Sequence, residues 1–363
     1  MDGQVTIVKC VVWDLDNTLW KGTLLEDGEV RLFDGLREVI EELDRRGILQ
    51  SIASKNDHDH AWAKLEALGV AEYFLLPRIG WGPKSDSVRE IAERLNFAHT
   101  TIAFIDDQPA ERAEVTYHLP DVRTYDAGQA SALPDLPEFS PPASTVDSRR
   151  RREMYRAGFE RDAARTEYAG PDEDFLRSLQ LVMTIGKAGE EELTRVEELT
   201  LRTSQMNATG VHYSDAALRA LLADPAHEVL VVTMSDRFGT HGAVGIVLLE
   251  KLAEVWHLKL LATSCRVVSW GAGATILNWL CDQAARGGVH VVADFRRTDR
   301  NRMMEIAYRF AGFSEQDCGC RSAITHAPEI EGTERLHLEP ARQPASSTVT
   351  VIAKDIEGPV ARA

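Results

Sequence analysis

Along residues 6–130, short apolar runs typical of strands alternate with segments whose apolar residues repeat at helical spacing. Residues 8–13 form an apolar run typical of a buried parallel strand, and similar runs occur at 48–53, 73–76 and 101–105. Between them, apolar residues repeat at helical spacing in three segments. These positions are Leu36, Val39, Ile40 and Leu43, then Ala61, Leu65 and Leu68, and finally Val88, Ile91 and Leu95. The alternation predicts an α/β domain with a doubly wound parallel sheet.

The second half of the chain has a mixed pattern. Residues 190–202 predict a helix, and 229–234 and 244–249 predict antiparallel strands separated by a turn. A strand at 255–262, a glycine-containing loop and a helix through Cys281 follow. This order predicts a second domain of the α+β class.

Composition indicates where the domains end. Residues 127–148 are rich in Pro, Ser, Ala and Asp, which predicts a linker, and the run at 149–152 consists of arginines. That run indicates either a solvated helix face or a docking site for an acidic partner. The predicted organisation is a first domain at 1–130, a linker and charged helix at 131–171, a second domain at 172–325, and a tail at 326–363. The tail is expected to be mobile apart from a strand near 336–338.

Overall charge and apolar content exclude some classes of function. The 363 residues carry a net charge of −16 and are 44% hydrophobic, which disfavours nucleic acid as a partner. No apolar run reaches membrane-spanning length and no signal peptide is apparent, so we expect no membrane association and a cytoplasmic protein. The five cysteines are scattered and are interpreted as thiols. Cys318 and Cys320 could begin a metal site, but a tolerated loop pair is favoured because no second such pair or histidine pair lies near them in sequence.

The first strand leads directly into two carboxylates. Asp14 and Asp16 follow it within the segment VVWDLDNTLW, at the sheet edge where open α/β sheets bind ligands. Asp14 is a candidate nucleophile on phosphorus. Asp16 is placed to protonate a leaving oxygen and then to activate water.

Three later segments supply further parts of a phosphoryl-transfer site. Ser54 and Asn56 follow the second strand, Lys84 begins a helix, and Asp106 and Asp107 end another strand. Ser54, Asn56 and Lys84 are candidate phosphate ligands. Asp14, Asp16, Asp106 and Asp107 are candidate ligands for Mg²⁺.

These motifs, in this order, resemble those of the haloacid dehalogenase superfamily. Between them, only residues 21–32 can form a flap, and about one helix fits between Ser54 and Lys84. We therefore expect a domain without a large cap, whose open site admits a substrate tethered to another protein or a small phosphate ester.

The loop before the second domain's long helix is a candidate anion site. Backbone N–H groups near Gly271 and Gly273 can receive pyrophosphate at the helix N-terminus. The segment resembles the pantetheine-binding motif of the GCN5-related acyltransferase fold, and Asn301 lies in a region that resembles its closing segment. Arg266 stands five residues before Gly271, whereas the coenzyme A signature has its Arg or Gln three before the first glycine.

The two halves together resemble the FkbH-like enzymes, from about residue 8 to residue 313. The segments SKND, WGPKS, DDQP, RTSQMN, DRFG, SCRV and DRNRMM contribute to the resemblance. It implies removal of phosphate from 1,3-bisphosphoglycerate and transfer of a glyceryl thioester to a phosphopantetheinylated acyl carrier protein, in methoxymalonyl-acyl-carrier-protein assembly for polyketides. It also implies Mg²⁺ held by Asp14, the Asp16 carbonyl and Asp106, and an acyl site that includes Arg202, Gln205 and Asn207.

Residue chemistry indicates Cys265 as the acyl carrier within the chain. A thiolate converts an acyl phosphate into a thioester, and Arg266 together with the nearby helix N-terminus favours the thiolate. The alternative is a small apolar residue at the end of a buried strand, whereas Cys281 lies in an apolar helix and is expected in the core. His241 and His257 are candidates for deprotonating a thiol, although a single histidine in a turn or strand is more often structural.

Two other functions fit the same sequence. One is a Mg²⁺-dependent phosphatase fused to an acetyl-coenzyme A-dependent N-acetyltransferase. The other is a docking module for a carrier protein with decayed catalytic parts, although the presence of every phosphoryl-transfer group argues against decay.

Overall fold

The computed structural model describes residues 6–141, 146–202, 206–326, 328 and 330–356. Within these ranges, the described atoms do not include the side chains of Val146, Glu191, Glu198, Leu201, Arg202 and Cys265. The chain divides into two compact units, residues 1–156 and 157–363. The division falls inside the segment predicted as linker and charged helix.

The first unit is built on a parallel sheet. Its strands and helices, in chain order, are β1 Cys10–Trp13, β2 Trp20–Lys21, α1 Leu24–Asp27, β3 Arg31–Leu32, α2 Leu36–Arg45, β4 Leu49–Ser54, α3 His58–Ala67, β5 Arg78–Ile79, α4 Lys84–Leu95, β6 Ile102–Asp106, α5 Pro109–His118 and β7 Arg123–Asp126. The five-stranded sheet has the order β5-β4-β1-β6-β7, with every pairing parallel. The prediction of a doubly wound α/β domain is confirmed.

The strand order places the chemistry at one edge. β1 lies between β4 and β6, and all four of its residues are buried. The carboxyl ends of these three strands therefore carry Asp14, Ser54 and Asp106 side by side. After β1, the antiparallel pair β2–β3 forms a small flap with α1.

The strand predicted at 73–76 is wrong. Residues 71–73 form a 3₁₀ turn, Phe74 makes only an isolated bridge to Gln50, and the short strand β5 follows at Arg78–Ile79. Leu76 has a φ of 51°, a left-handed conformation that breaks an extended strand.

The linker predicted from residue 127 is also wrong up to residue 141. Ala127–Asp135 and Pro137–Phe139 are 3₁₀ helices, and Leu133 and Phe139 are fully buried in the core of the first unit. A few large apolar side chains are enough to fold a segment onto a core when most of its residues are small or polar. Residues 142–145 of the predicted linker lie outside the described ranges.

The arginine run begins a helical region with partners inside the first unit. α6 Val146–Arg149 is followed by α7 Arg151–Glu167. Arg151 donates to the Gly47 carbonyl at 2.9 Å, and Arg152 pairs with Asp44 at 2.9 Å. A side chain at Gly47 would meet the Ser148 carbonyl at 2.6 Å, which accounts for a glycine there. These two arginines are therefore used structurally.

The second unit contains a larger mixed sheet. Its elements after α7 are α8 Asp172–Ser178, β8 Leu181–Lys187, α9 Leu193–Arg202, α10 Asp215–Ala223, β9 His227–Asp236, β10 Gly239–Lys251, β11 Val255–Thr263, α11 Ala272–Gly287, β12 His290–Phe295, α12 Arg302–Phe310, β13 Glu334–Leu338 and β14 Val349–Ala353. The sheet order is β13-β12-β11-β10-β9-β8-β14, with β11–β12 and β8–β14 parallel and the other pairings antiparallel. The predicted α+β class is confirmed.

Two apolar clusters cover the faces of this sheet. α11 and α12 pack with Trp256, Leu258 and Val291, whereas α9 and α10 pack with residues such as Ile246 and Leu260. Leu258 and Leu260 face opposite clusters because a β-bulge between them shifts the alternation of β11 by one residue. No helix among the described residues is long and apolar enough to cross a membrane.

The predicted tail contributes two strands. β13 occupies the place expected near 336–338, so that strand is confirmed. β14 pairs in parallel with β8, with Val349 opposite Leu181 and Ala353 opposite Ile185. The expectation of a mobile tail is therefore wrong for residues 349–353, because they complete one edge of the sheet.

Candidate functional site

Asp14 lies at the end of β1 in a buried, positively compensated position. It is 3% exposed, and its backbone N–H donates to the Ile105 carbonyl of β6 at 2.9 Å. Lys84 Nζ lies 2.7 Å from Asp14 Oδ1. Burial raises the pKa of Asp14 to about 6, with Lys84 opposing this rise and Asp106 adding to it. The Lys84 ammonium, in direct contact with Asp14, favours the ionised carboxylate, which is the form that a nucleophile requires.

Lys84 joins two carboxylates. It is the first residue of α4, it is 3% exposed, and its ammonium contacts both Asp14 and Asp106. Burial alone would lower its pKa, but the two carboxylates raise it above its ordinary value. Lys84 is thus a fixed cation beside the candidate nucleophile, which suits neutralisation of a transferring phosphoryl group.

Asp16 is held by three donors. Trp20 Nε1 and the Leu24 N–H donate to its Oδ1 at 2.7 and 3.0 Å, and Asn56 Nδ2 donates to its Oδ2 at 3.0 Å. Trp20 and Leu24 belong to the flap, whereas Asn56 follows β4. The candidate acid/base is therefore fixed by the flap and by the β4 loop together.

Asp106 ends β6 beside Asp14, and Asp107 follows directly after the strand. The Gln108 N–H donates to Asp106 Oδ1 at 2.8 Å, and the Asp107 N–H donates to Thr18 Oγ1 at 3.0 Å. One carboxylate oxygen each from Asp14, Asp106 and Asp107 lie within 4.8 Å of one another. Oδ1 of Asp107 is buried without a hydrogen-bond partner. An all-oxygen group with an unpaired anionic oxygen fits the ligand preference of Mg²⁺.

Ser54 and Asn56 complete the edge of the sheet. Ser54 is the last residue of β4 and is 3% exposed, in line with its predicted place near the site. Asn56 is 1% exposed, and both ends of its amide are engaged, with Asp16 and with the Asp57 N–H at 3.0 Å. Asn56 therefore positions the Asp16 carboxylate, and its contact with phosphate stays a prediction.

The loop of the second unit has the predicted order of strand, turn and helix. After β11, residues 265–270 form a 3₁₀ helix, and Ser264 is its N-cap residue. The Oγ of Ser264 accepts a hydrogen bond from Arg266 Nε at 3.2 Å. Gly271 has a φ of 72° and precedes α11, which contains Gly273 in its first turn. The side chain of Cys265 lies outside the described atoms, so its assignment as acyl carrier stays a prediction.

A segment of the chain itself fills the gap between β11 and β12. The register of these strands ends at Leu258 opposite Ala293, although β11 continues to Thr263. Beyond that point the Ala208 N–H donates to the Leu261 carbonyl at 3.0 Å, and the Arg296 N–H donates to the Ala208 carbonyl at 2.9 Å. Residues 206–208 thus act as a short strand between β11 and the residue after β12.

Two predicted acyl-site residues stabilise this insertion. Asn207 Oδ1 accepts from the Gly210 N–H at 2.7 Å, and Asn301 Nδ2 donates to the Asn207 carbonyl at 3.1 Å and the Arg296 carbonyl at 2.9 Å. Both side chains are buried and hydrogen-bonded to backbone groups, which gives them a structural role, and their contact with the acyl group stays a prediction. Gln205 lies outside the described ranges, as does the Arg202 side chain.

The candidate histidine bases are held in buried carboxylate pairs. His241 Nε2 lies 3.0 Å from Asp236 Oδ2, and the same aspartate pairs with Arg161. His257 Nε2 lies 2.8 Å from Asp294 Oδ1. His257 is fully buried, which favours its structural interpretation, whereas the role of His241 as a base stays a prediction.

The cysteines with described side chains are free thiols. They are Cys10, Cys281, Cys318 and Cys320. Cys281 is 2% exposed within α11, and burial raises its pKa to about 11. Its predicted place in the core is confirmed.

Other residues of the site escaped the sequence analysis. The Ser85 N–H donates to Glu114 Oε2 at 3.1 Å, which ties the start of α4 to α5, and Arg112 Nη1 donates to the Asp106 carbonyl at 2.6 Å. Glu114 and Arg112 are one helical turn or less apart on α5. The sequence gives no signal that these two residues hold Asp106 and the start of α4, because charged residues on an amphipathic helix are usually solvated.

Comparison with known proteins supports the assignment of the first unit. Residues 23–114 match the family of haloacid dehalogenase-like hydrolases. The match includes α1 and β3 of the flap, Ser54, Lys84, Asp106 and Asp107, whereas Asp14 and Asp16 precede its first residue. No curated protein matches the chain. Residues 23–114 of the first unit are therefore similar to haloacid dehalogenase-like hydrolases.

Solved structures resemble parts of each unit. One is the N-terminal part of a Bacteroides fragilis protein that contains a phosphatase domain and is complexed with Mg. It is 28% identical to this chain, covers 34% of this chain and 38% of the Bacteroides chain, and has a TM-score of 0.33. The ribosomal-protein-S18-alanine N-acetyltransferase of Escherichia coli is 14% identical over 46% and 97%, with a TM-score of 0.32. Tetrahymena GCN5 is 11% identical over 45% and 99%, with a TM-score of 0.33. The chain thus spans about two fifths of the first of these proteins.

Proposed function

We propose that the chain is a bifunctional glyceryl transferase and phosphatase. It takes 1,3-bisphosphoglycerate, captures the acyl group as a thioester, removes the remaining phosphate and loads the glyceryl group onto an acyl carrier protein for methoxymalonyl-acyl-carrier-protein supply. The observation that carries the proposal is the buried Asp14 beside Lys84, with Asp106 and Asp107 within reach. The hydrolase family match supports its phosphatase part.

The phosphatase step uses the groups at the end of β1. The Asp14 carboxylate attacks phosphorus and the ester oxygen leaves, taking a proton from Asp16. Asp16 then accepts a proton from the water that hydrolyses the aspartyl phosphate. Ser54 and Lys84 bind phosphoryl oxygens. Mg²⁺ bound by Asp14, Asp106 and Asp107 would neutralise charge on the phosphate.

The acyl step uses the second unit. The Cys265 thiolate attacks the carbonyl carbon of the acyl phosphate, and inorganic phosphate leaves with the bonding electrons. The thiol of the carrier's pantetheine arm then takes the acyl group and returns the Cys265 thiol. Among the described residues of the first unit, the connection after β1 carries only the short flap, which suits a substrate that stays tethered to another protein.

Intact-mass spectrometry of a pantetheinylated carrier protein tests the proposal. After incubation with the enzyme, Mg²⁺ and freshly generated 1,3-bisphosphoglycerate, we expect a glyceryl mass shift on the carrier. Asp14→Asn should lower dephosphorylation roughly a thousandfold or more and leave phosphoglyceryl species. Cys265→Ala should abolish loading. Asp34→Asn, at an exposed site of the first unit, and Cys281→Ala are the matched controls.

Two outcomes contradict the proposal. A glyceryl shift that persists in Cys265→Ala removes this residue from the mechanism. Turnover of acetyl-coenzyme A with an amine, together with no loading of any carrier, replaces the transferase part with an N-acetyltransferase. The phosphatase part is measured separately with a chromogenic phosphate ester, which needs Asp14 but not Cys265.

A further inference from the structure

Four metal-binding side chains meet at one point of the second unit, away from the groups used above. His290 begins β12, His337 lies in β13, and Cys318 and Cys320 come from the segment between α12 and β13. One ligand atom from each of the four lies within 4.8 Å of the others. His337 is buried, and the other three are half-buried.

The contacts within this Cys₂His₂ cluster converge on one nitrogen. His290 Nδ1 lies 2.9 Å from His337 Nε2 and 3.4 Å from Cys318 Sγ. An imidazole nitrogen has either one hydrogen or one lone pair. It therefore cannot make full hydrogen bonds to both neighbours, whereas a shared cation in the middle would use a lone pair from each.

The ligand types select the cation. Two thiolates and two imidazoles are a tetrahedral set typical of structural zinc sites, and for bonds of about 2.0–2.3 Å the ligand atoms stand roughly 3.5 Å apart. The contacts of His290 fall close to this spacing. Two thiolates also balance the charge of Zn²⁺, so a half-buried site carries no net charge.

The cluster also lies where the fold has few other contacts. Cys320 packs against a small apolar group of Val255, Val292 and Ile324. Residues 314 and 337 exchange two backbone hydrogen bonds, of 2.9 and 2.7 Å, and residues 316–323 contain no fully buried side chain. A cross-link at Cys318 and Cys320 would hold this segment on the sheet where burial supplies little free energy.

We propose that His290, Cys318, Cys320 and His337 form a structural zinc site that fastens the segment after α12 to β12 and β13. All four ligands come from the protein, so the site is closed and takes no part in the chemistry proposed for Asp14 or Cys265. Binding releases the thiol protons to solvent.

Metal analysis of the untagged, full-length protein tests this site. We expect zinc in the purified chain, and the double variant Cys318→Ser/Cys320→Ser should contain about one zinc fewer per chain. The wild type with Co²⁺ in place of zinc should show the visible bands of tetrahedral cobalt and a sulfur-to-metal charge-transfer band. This spectrum needs no variant, so it tests the site even if the double variant folds poorly.

Matched controls distinguish this site from other thiols and imidazoles. Cys281→Ala removes a cysteine of the same unit, and His326→Gln removes a histidine six residues after Cys320. Both should keep the zinc and the cobalt spectrum. The proposal is overturned if the wild type binds neither metal, if the double variant keeps the full zinc content, or if the native chain shows the mass deficit of a Cys318–Cys320 disulfide.

Discussion

Glu250 illustrates how one buried side chain can make stability depend on pH. It is 8% exposed, its Oε2 lies 3.5 Å from His257 Nδ1, and it lies 3.5 Å from His326 Nε2. The neighbouring His257 lowers the pKa of Glu250 to about 2, against the opposing effect of burial, and His326 contributes further. The ionised form is therefore favoured by folding.

We predict that Glu250→Gln changes the acid stability of the second unit. Because folding lowers the pKa of Glu250, the ionised side chain contributes its full share to the free energy of unfolding above its ordinary pKa of 4.5. This contribution is lost as the pH falls towards 2. The loss amounts to about 3 kcal/mol. Urea unfolding measured at pH values from 6 down to 2.5 should show that the difference in free energy of unfolding between wild type and variant shrinks as the pH falls. Glu254→Gln, exposed in the turn between β10 and β11, is the control, and an unchanging difference would contradict the prediction.

At the scale of elements, the segment 127–139 shows how few apolar residues a fold needs. Its 3₁₀ turns bury Leu133 and Phe139 and pack Phe139 edge-on against Tyr125, with ring centroids 5.6 Å apart. Arg46 donates to the Phe139 carbonyl at 3.1 Å. The segment is thus part of the first unit rather than a spacer.

We predict that Leu133→Ala destabilises the first unit by about 3 kcal/mol, because it removes a fully buried side chain and leaves a cavity. Ser131→Ala, an exposed position in the same 3₁₀ helix, should change stability by less than about 0.5 kcal/mol. Urea unfolding followed by circular dichroism, with the transitions of the two units fitted separately, measures both. If the segment were a linker, both substitutions would change the free energy of unfolding by equally small amounts, which would contradict the prediction.

Sequence patterns predicted those features that depend on neighbours in the chain. Asp14 and Asp106 could be found because each follows its own apolar strand, and parallel strands bring their carboxyl ends together. Leu133 was missed because local composition does not report a long-range contact. Cys318 and Cys320 were interpreted as a loop pair because His290 and His337 reach them only through the pairing of β12 with β13.

At the scale of the whole molecule, the two units offer different metal-ligand chemistry. Asp14, Asp106 and Asp107 of the first unit present carboxylate oxygens, whereas the Cys₂His₂ cluster of the second presents sulfur and imidazole nitrogen. Carboxylate sites hold Mg²⁺ with several waters and exchange it readily. A closed sulfur and nitrogen site holds zinc far more tightly. The two metals should therefore be removable independently.

We predict that brief treatment with a chelator lowers phosphatase activity at least about tenfold and that added Mg²⁺ restores it. Zinc content and the melting temperature of the second unit should stay unchanged by this treatment. The measurement is hydrolysis of a phosphate ester beside metal analysis of the same sample. Full activity in excess chelator would show that the carboxylates at β1 and β6 need no cation.

The parallel pairing of β14 with β8 has a consequence for synthesis on the ribosome. The first unit, ending near residue 156, can fold as soon as its residues have left the exit tunnel. The second cannot complete its sheet until residues 349–353 emerge and return to the strand at 181–187. Newly made chains thus expose an unpaired edge of β8 during this interval, so a pause in translation after residue 340 would favour aggregation of the nascent protein.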